Sequence, residues 1–333
     1  MTCQDWRTVS PSDVTPLIAS EMAAWRRDLE WDVTEAWRVV EPARRAGQLP
    51  GFIARDAGGR STGWTSFLLH HASLQVLAFS ALDEETANAL IDAILASPEA
   101  ATAASIIVCV RGAAPALVGR LSALGFEVDP YRYLRLACGP PRPPQSRSTL
   151  IRAWAHDEEA FAGLCARAYA GSREIRAFAP SGTEDEWKEY VGSLLGGPGC
   201  GWFCPEMSFV VTGTGSHALA GAVFVTDLGM STAHIAQIVV DPNDRGRGWG
   251  RRLLNAAVTS AERLGYARMT LLVAASNRSA AAMYERVGFV ERATFSVAVQ
   301  RRGAESRPAL VAVSSPHSAV PRSWPEGKPE PVP

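Results

Sequence analysis

The chain has 333 residues, of which 47% are hydrophobic, which is enough for one or two ordinary cores. Its 33 basic and 34 acidic residues leave a formal net charge of −1, so the composition predicts neither a nucleic-acid surface nor an anionic-membrane surface. The N-terminus lacks a signal pattern and the longest apolar runs are far too short to cross a bilayer, which predicts a cytoplasmic location.

The six cysteines are scattered along the chain and predict no disulfide framework. Cys200 and Cys204 invite a metal interpretation, but no second Cys/His pair stands at a ligand-like spacing. We therefore expect no metal site.

The first part of the chain opens with apolar residues at every third or fourth position from Ile18 to Trp37, which predicts a helical stripe and is compatible with a break near Trp31-Asp32. Strands are predicted at 74–79 and 105–110, and a helix follows up to Leu124. The stretch from Cys138 to Ser148 is rich in proline and favours an extended linker. The pattern predicts a first domain at 1–140 and a linker at 141–148.

The second part continues with helices over 157–169 and 183–191, and strands over 208–211, 219–226 and 233–240. We expect a second domain at 149–313. Residues 314–333 are polar and proline-rich, which predicts a disordered tail.

A run rich in glycine and arginine, Asp241 to Arg252, lies between the strand that ends at Val240 and a helix beginning near Leu253. A strand that turns through glycines into a helix directs backbone N–H groups and the positive end of the helix dipole at one point, where a phosphate can bind. Taken alone, the run is equally typical of a solvated loop.

Downstream, a buried strand at 268–275 precedes a helix that starts at Ser276-Asn277 and ends at Gly288. Asn277 and Tyr284 are seven residues apart and therefore lie on one face of that helix. Each also has a purely structural interpretation, Asn277 as an N-cap and Tyr284 as a packed aromatic residue.

The ordered set is specific: a strand, Arg-x-x-Gly-x-Gly at 245–250, a helix, a strand, Asn277, Tyr284 and Gly288-Phe289. It resembles the GNAT acyltransferase superfamily, closely over about 233–295 and by element order over about 150–313. The resemblance implies an α/β (α+β) fold in which each domain has a mixed, mostly antiparallel central sheet flanked by helices. It also implies acetyl-CoA as the acyl donor.

By the same resemblance, the backbone of Ile238, Val239 and Val240 would pair with the pantetheine arm, and Tyr284 would protonate the departing thiolate. The remaining expected cofactor contacts are Arg245, Gly246, Arg247, Gly248, Trp249, Gly250, Arg251 and Asn277.

An amine is mostly protonated at neutral pH, so the reaction needs a base. Some relatives carry a glutamate on the strand after the first cofactor-binding helix, where this chain has Leu272, and others carry one on the cofactor strand, where it has His234. We expect His234 to accept the proton, directly or through water. A partly exposed strand histidine without a chemical role is the equal alternative; Glu184, Asp185 or bulk water would then serve as the base.

A weak internal repeat aligns 105–128 with 269–290 and places Gly125-Phe126 on Gly288-Phe289. In that register Leu121 stands where Tyr284 stands, and the strand at 74–79 runs into acidic residues instead of glycines and arginines. The repeat predicts a degenerate GNAT-like first domain, which keeps the scaffold without the cofactor-binding residues.

The resulting prediction is an N-acetyltransferase that moves an acetyl group from acetyl-CoA to a primary amine, with a small molecule as the acceptor and a ternary complex as the route. A protein N-terminus or lysine is the second acceptor class, and a non-catalytic acyl-CoA-binding regulatory module is the other alternative. The sequence fixes neither the acceptor nor the donor chain length nor the oligomeric state.

Overall fold

The structure, a computed structural model, describes residues 1–70, 72–140, 150–155, 157–197, 199–213 and 219–302. The helices are α1 (Pro11–Leu29), α2 (Thr34–Arg45), α3 (Glu84–Leu95), α4 (Pro98–Thr102), α5 (Pro115–Ala123), α6 (Glu158–Tyr169), α7 (Ile175–Phe178), α8 (Glu184–Gly196), α9 (Trp249–Arg263) and α10 (Arg278–Val287). The predicted linker at 141–148 and the predicted tail at 314–333 lie outside the described residues, and the domain bounds stay a prediction.

The strands of the described chain form one thirteen-stranded sheet. They are β1 (Thr2–Asp5), β2 (Gly51–Arg55), β3 (Ser61–His70), β4 (Ser73–Ala81), β5 (Ser105–Arg111), β6 (Glu127–Ala137), β7 (Ile151–Ala153), β8 (Trp202–Phe203), β9 (Phe209–Thr212), β10 (Leu219–Asp227), β11 (Thr232–Val240), β12 (Arg268–Ala274) and β13 (Val290–Arg301). The order is β1-β2-β3-β4-β5-β13-β6-β12-β11-β10-β9-β7, with β8 beside β10. Only β4·β5 and β11·β12 are parallel, so the predicted mixed, mostly antiparallel character is confirmed.

The two halves of the chain exchange their last strands. β6 leaves the first half and pairs with β12, while β13 leaves the second half and pairs with β5. The two exchanged strands also pair with each other. The sheets of the two halves are therefore one continuous sheet, an arrangement that the sequence pattern did not predict.

The sheet separates two layers of helices. On β6, Val128 packs below α3 and α5 and Leu134 packs below α9 and α10, so these four helices cover one face. Tyr131 and Tyr133 point to the opposite face, where they join a central apolar cluster. That cluster includes Leu29, Trp31, Ile107, Leu228, Ala274, Phe295, Val297 and Val299.

Local sequence explains the helix boundaries nearest the site. The stripe from Ile18 to Trp37 is broken, since Glu30 has a left-handed φ of 56° and Asp32 accepts the N–H of Thr34 at 3.0 Å. The start of α9 differs from the prediction: it begins at Trp249, not near Leu253, because Gly248 at φ 78° already serves as its N-cap.

Candidate active site

A cleft opens where β11 and β12 separate. Residues Thr232–Ile235 of β11 pair with Arg268–Leu271 of β12, and the pairing of these two parallel strands ends there. Strand β11 remains paired with β10 up to Val240. An extra residue, Ala236, forms a bulge in β11 at the point of separation. Bulges bend and twist a strand, which accounts for the divergence of β11 from β12.

Alternate residues of β11 direct their backbone N–H and C=O groups into this cleft. The N–H of Asp241 donates to the carbonyl of Ala220 at 2.9 Å, so that pair is hydrogen-bonded across β10 and β11. In an antiparallel ladder, the backbone N–H and C=O groups of every second residue point away from the partner strand. Those of Ile238 and Val240 therefore point away from β10, into the gap between β11 and β12. They form an edge that an extended ligand can pair with.

A cavity of about 900 Å³ occupies the cleft. Its volume is within the usual range for small-molecule sites. The wall includes these sequence-predicted residues: Ile238, Val239, Val240, Arg245, Gly246, Gly248, Trp249, Gly250, Arg251 and Asn277.

The glycine-rich turn at one end of the cavity has the geometry of an anion cradle. Gly246 and Gly248 both have φ 78°, and a Cβ on either would meet no atom within 4 Å, so the backbone is open to a ligand. Gly248 caps α9 without any side-chain hydrogen bond among the described residues. The first N–H groups of α9 therefore remain as donors, backed by the positive end of the helix dipole.

The turn is tied to α6 by polar contacts. Asp241, 1% exposed, accepts the Nε of Arg167 at 2.7 Å and the N–H of Asn243 at 3.0 Å. A guanidinium nitrogen of Arg245 donates to the carbonyl of Ala168 at 2.8 Å. These contacts hold the turn in place from beneath the cavity.

The arginines of the turn have different contacts. Arg247 pairs with Asp244 at 2.8 Å and does not belong to the cavity wall as far as the described residues define it, whereas Arg251 does. Arg252 stacks over the ring of Trp249 at 5.0 Å. Of the three arginines expected to contact a cofactor, the structure thus brings Arg245 and Arg251 to the cavity.

Helix α10 carries the two downstream candidates. Asn277 lines the cavity, and its side chain also accepts the N–H of Ala280 at 3.2 Å, so it is an N-cap as well. Tyr284 is not part of the cavity wall that the described residues form; it is 5% exposed, and its ring lies 5.9 Å from that of Phe289. Burial, and after it the negative charge of Glu174, raises the pKa of the Tyr284 phenol, which keeps it protonated.

His234 is not brought to the cavity wall that the described residues form. It is 6% exposed, its Nδ1 lies 2.9 Å from the hydroxyl of Thr270, and its ring lies 5.5 Å from that of Trp31. Burial lowers the pKa of its imidazole to about 4. Its role as the base stays a prediction, against which its burial and its weak basicity both weigh.

Sequence reasoning missed several residues of the wall. Ser279, Met283 and Arg286 are four and three residues apart, so they share one face of α10, and helical spacing would have grouped them. Tyr169, Ser172 and Glu174 come from the end of α6 and the segment before α7. No periodic pattern in that segment singles out one of its residues.

The first half repeats the scaffold of the site. β4 and β5 pair only over 73–76 and 105–108, and Leu77 is the extra residue of a bulge in β4. Gly125 and Gly288 both have positive φ. The N–H of Phe126 donates to the carbonyl of Leu121 at 3.0 Å, and the N–H of Phe289 donates to the carbonyl of Tyr284 at 3.1 Å. The predicted repeat is therefore visible in the backbone.

The first half lacks the anion cradle. Only Leu82 and Asp83 separate β4 from α3, whereas Asp241 to Gly248 separate β11 from α9. The side chain of Asp83 accepts the N–H of Thr86 at 2.8 Å, and Glu84 and Glu85 follow it. A carboxylate thus already occupies the place where an anion would bind.

Comparisons with known proteins agree with this geometry. The model of the acetyltransferase (GNAT) family matches residues 172–289. Mycothiol acetyltransferase of Beutenbergia cavernae is 31% identical over 133 residues, which are 40% of this chain and 41% of that protein. The ribosomal protein bS18-alanine N-acetyltransferase of Escherichia coli is 36% identical over 85 residues, 26% of this chain and 55% of that protein. The chain therefore spans about half the length of these relatives.

The fold is shared over nearly the whole chain with a crystal structure of a GCN5-related N-acetyltransferase from Sphaerobacter thermophilus. The TM-score is 0.59 at 18% sequence identity, over 92% of this chain and 97% of that one.

The fold, the splayed parallel strands and the glycine turn define an acetyltransferase scaffold. The second half of the chain contains a domain that matches the GNAT family of acetyltransferases, over residues 172–289. Members of this family use acetyl-CoA as the donor. None of the helices within the described ranges combines the length and apolarity that crossing a bilayer requires.

Proposed function

We propose that the second half transfers the acetyl group of acetyl-CoA to a primary amine of a small molecule, by direct attack within a ternary complex. The observation that carries this proposal is the cavity between β11 and β12, because it joins a free strand edge to a free helix N-terminus. These two features suit an extended amide arm and a diphosphate, respectively.

The donor would lie along the cleft. Its diphosphate would accept N–H groups from the turn at Gly246–Gly250, with Arg251 supplying charge, and its pantetheine amides would pair with Ile238 and Val240. Arg286, on the same wall, is a further cation for the phosphates. Asn277 would contact the arm from α10.

The chemistry follows from this placement. The amine lone pair attacks the thioester carbon, and a backbone N–H of β11 stabilises the oxyanion. Collapse of the intermediate breaks the carbon–sulfur bond, and Tyr284 gives its proton to the thiolate. Burial, and after it the charge of Glu174, raises the pKa of this phenol, which maintains the acid form and makes the transfer uphill; neutralising Glu174 removes the smaller of the two causes.

A small acceptor is favoured by what covers the sheet beside the cleft. The N–H of Asp32, in the first half, donates to the carbonyl of Leu228 at the end of β10 at 2.9 Å. Trp31 packs against His234 on β11. The first half therefore covers the face opposite α9 and α10 and narrows the space for an extended peptide.

A protein N-terminus is the second candidate acceptor, because one relative of the matched segment acetylates the alanine of a ribosomal protein. A regulatory module that binds acetyl-CoA without turnover is the third. The presence of Tyr284 on α10, next in sequence to the wall residue Met283, supports catalysis over this last alternative.

The three candidates separate in one assay. Wild-type protein is incubated with acetyl-CoA and either small primary amines or alanine-terminated peptides, and free thiol and acetylated product are measured. We expect thiol release with small amines, and Tyr284→Phe should lower kcat about 10²-fold or more without weakening acetyl-CoA binding. Tyr266→Phe is the control, because Tyr266 lies between α9 and β12, outside the helix that carries Tyr284 and outside the cavity wall of the described residues.

Thiol release with peptides alone would favour the second candidate. Thermal protection by acetyl-CoA without any thiol release would identify a binding module instead.

A further inference from the structure

A proton acceptor for the amine is not provided by the strands that flank the cleft. His234 on β11 is buried against Trp31 and Tyr133 and does not belong to the cavity wall that the described residues form. Leu272, on β12, has no group that can take a proton. A side-chain base would therefore come from another element.

Two carboxylates belong to the cavity wall as the described residues define it, Asp244 and Glu174. Asp244 lies in the glycine turn and pairs with Arg247 at 2.8 Å, at the end suited to phosphate. Glu174 lies between α6 and α7, close in sequence to Tyr169 and Ser172 of the same wall. Of the two, only Asp244 belongs to the turn that forms the anion cradle.

Ser172 holds Glu174 in place. The Ser172 hydroxyl lies 3.2 Å from Oε2 of Glu174 and accepts the N–H of Glu174 at 3.1 Å. The residue is half-buried, so its carboxylate is partly sheltered but still open to the cavity. A short hydrogen-bonded loop of this kind restricts the position of the carboxylate.

The charge of Glu174 acts on three phenols. Burial is the main cause of the raised pKa of Tyr131, Tyr169 and Tyr284, and the charge of Glu174 raises all three further. Tyr131 comes from β6, Tyr169 from α6 and Tyr284 from α10, so this carboxylate lies among three elements, one of them from the first half.

Two arginines of the same region have other partners. Arg173 pairs with Asp129 at 3.3 Å and with Glu127 at 3.5 Å, and Arg245 donates to the carbonyl of Ala168. A negative charge beside the phenol of Tyr284, open to the donor cavity, is suited to a cationic ligand.

We propose that Glu174 receives the acceptor amine: its carboxylate binds the ammonium group and takes one proton from it before attack. This inference rests on the proposed function and names the acceptor class as a small primary ammonium ion.

The proton balance is complete with the groups present. The ammonium gives one proton to Glu174, and the free amine attacks the thioester. When the carbon–sulfur bond breaks, Tyr284 protonates the thiolate and then regains a proton from the nitrogen of the new amide. The proton on Glu174 leaves to solvent. While it is bound, the charge that disfavoured proton loss from Tyr284 is absent, so base and acid act in sequence.

The test uses the full-length protein with acetyl-CoA and 2-phenylethylamine, together with the best amine of the panel above. Glu174→Gln should lower kcat/KM for the amine about 10²-fold and remove the acid limb of its pH profile, while the Kd of acetyl-CoA changes less than about twofold. Glu174→Asp, which keeps the charge on a shorter arm, should retain part of the rate and the acid limb.

Glu159→Gln is the matched control, because that side chain is 86% exposed on α6 and lies outside the described cavity wall. Unfolding temperature and acetyl-CoA binding verify that each variant is folded. If Glu174→Gln keeps the wild-type rate and pH profile, the inference is wrong while the proposed function stands. If the wild-type protein acetylates no amine, both are wrong.

Discussion

At the scale of single residues, His234 has the clearest energetic consequence. Its ring is buried between Trp31 and Tyr133, and Nδ1 meets the neutral hydroxyl of Thr270. Burial disfavours the charged imidazolium, which lowers the pKa of this histidine from 6.5 to about 4 in the folded protein. Protonation of His234 is therefore coupled to unfolding.

The sign of the coupling predicts a loss of stability in acid. Below pH 6.5 the unfolded chain binds a proton at His234 that the folded chain takes up only near pH 4. Between about pH 7 and about pH 5, this residue should reduce the free energy of unfolding by about 2 kcal/mol. Urea unfolding at both pH values measures it.

His234→Gln should remove that part of the pH dependence, since glutamine does not titrate and can still bond to Thr270. The first half offers a precedent, because Gln75 occupies the equivalent position on β4 beside β5. An unchanged pH dependence in His234→Gln would contradict the buried, neutral state of the imidazole.

Residues of regular elements were predictable, whereas those of irregular segments were not. Asn277 and the glycines of the turn were found because helix spacing and glycine position carry direct geometric meaning. Glu174 was not found, since its position depends on the fold of the segment between α6 and α7 and on β6 from the other half. His234 was found by its place on the strand, but its burial by Trp31 is a tertiary property.

At the scale of elements, α3 and α9 begin at equivalent places in the two halves, but only the N-terminus of α9 is open to an anion. Asp83 satisfies an N–H of α3 with its own carboxylate, whereas Gly248 leaves the first N–H groups of α9 without a side-chain partner among the described residues. The difference is one of charge and loop length on a common backbone plan.

Gly248→Asp should therefore place a carboxylate at the N-terminus of α9, as Asp83 does at α3, and block the anion site. The new carboxylate would bond to the helix N-terminus and repel the diphosphate, and we expect the Kd of coenzyme A to rise about tenfold or more, which is about 1.4 kcal/mol. Isothermal titration calorimetry measures the affinity.

Gly265→Asp is the control, because Gly265 also has a positive φ, 80°, with nothing within 4 Å of an added Cβ, yet it lies beyond the opposite end of α9. Equal losses of affinity in both variants would show that backbone strain, not the new cap, is responsible.

Much of the element order was predictable from the sequence. β11, β12 and α10 follow from apolar runs and from the helix-ending Gly288, and the backbone repeat follows from Gly125-Phe126. The exchange of β6 and β13 was not predictable, because either strand would satisfy the same hydrogen bonds in its own half or in the other.

At the scale of the whole molecule, the exchange makes each half depend on the other. Without β6, the edge of β12 would be open from Arg268 to Ala274, and without β13 the edge of β5 would be open from Ser105 to Arg111. Open edges of that length promote association with other strands.

We expect a chain divided between Pro144 and Gln145 to reassemble when both fragments are produced together, with equimolar copurification and coenzyme A binding close to that of the intact protein. The second fragment alone should aggregate or self-associate, which size-exclusion chromatography would detect. A monomeric second fragment with full affinity would show that the exchanged strands are dispensable.

The exchange also sets the order of events during synthesis on the ribosome. β6 is made early, but its two neighbours, β12 and β13, are the last strands of the sheet to emerge. In the nascent first half, β5 and β6 therefore keep unpaired edges until β12 and β13 have left the ribosome, and both halves finish folding together. Chaperone demand should be greatest in that interval, and a ribosome stalled before residue 268 should hold a chain that is readily cleaved by protease.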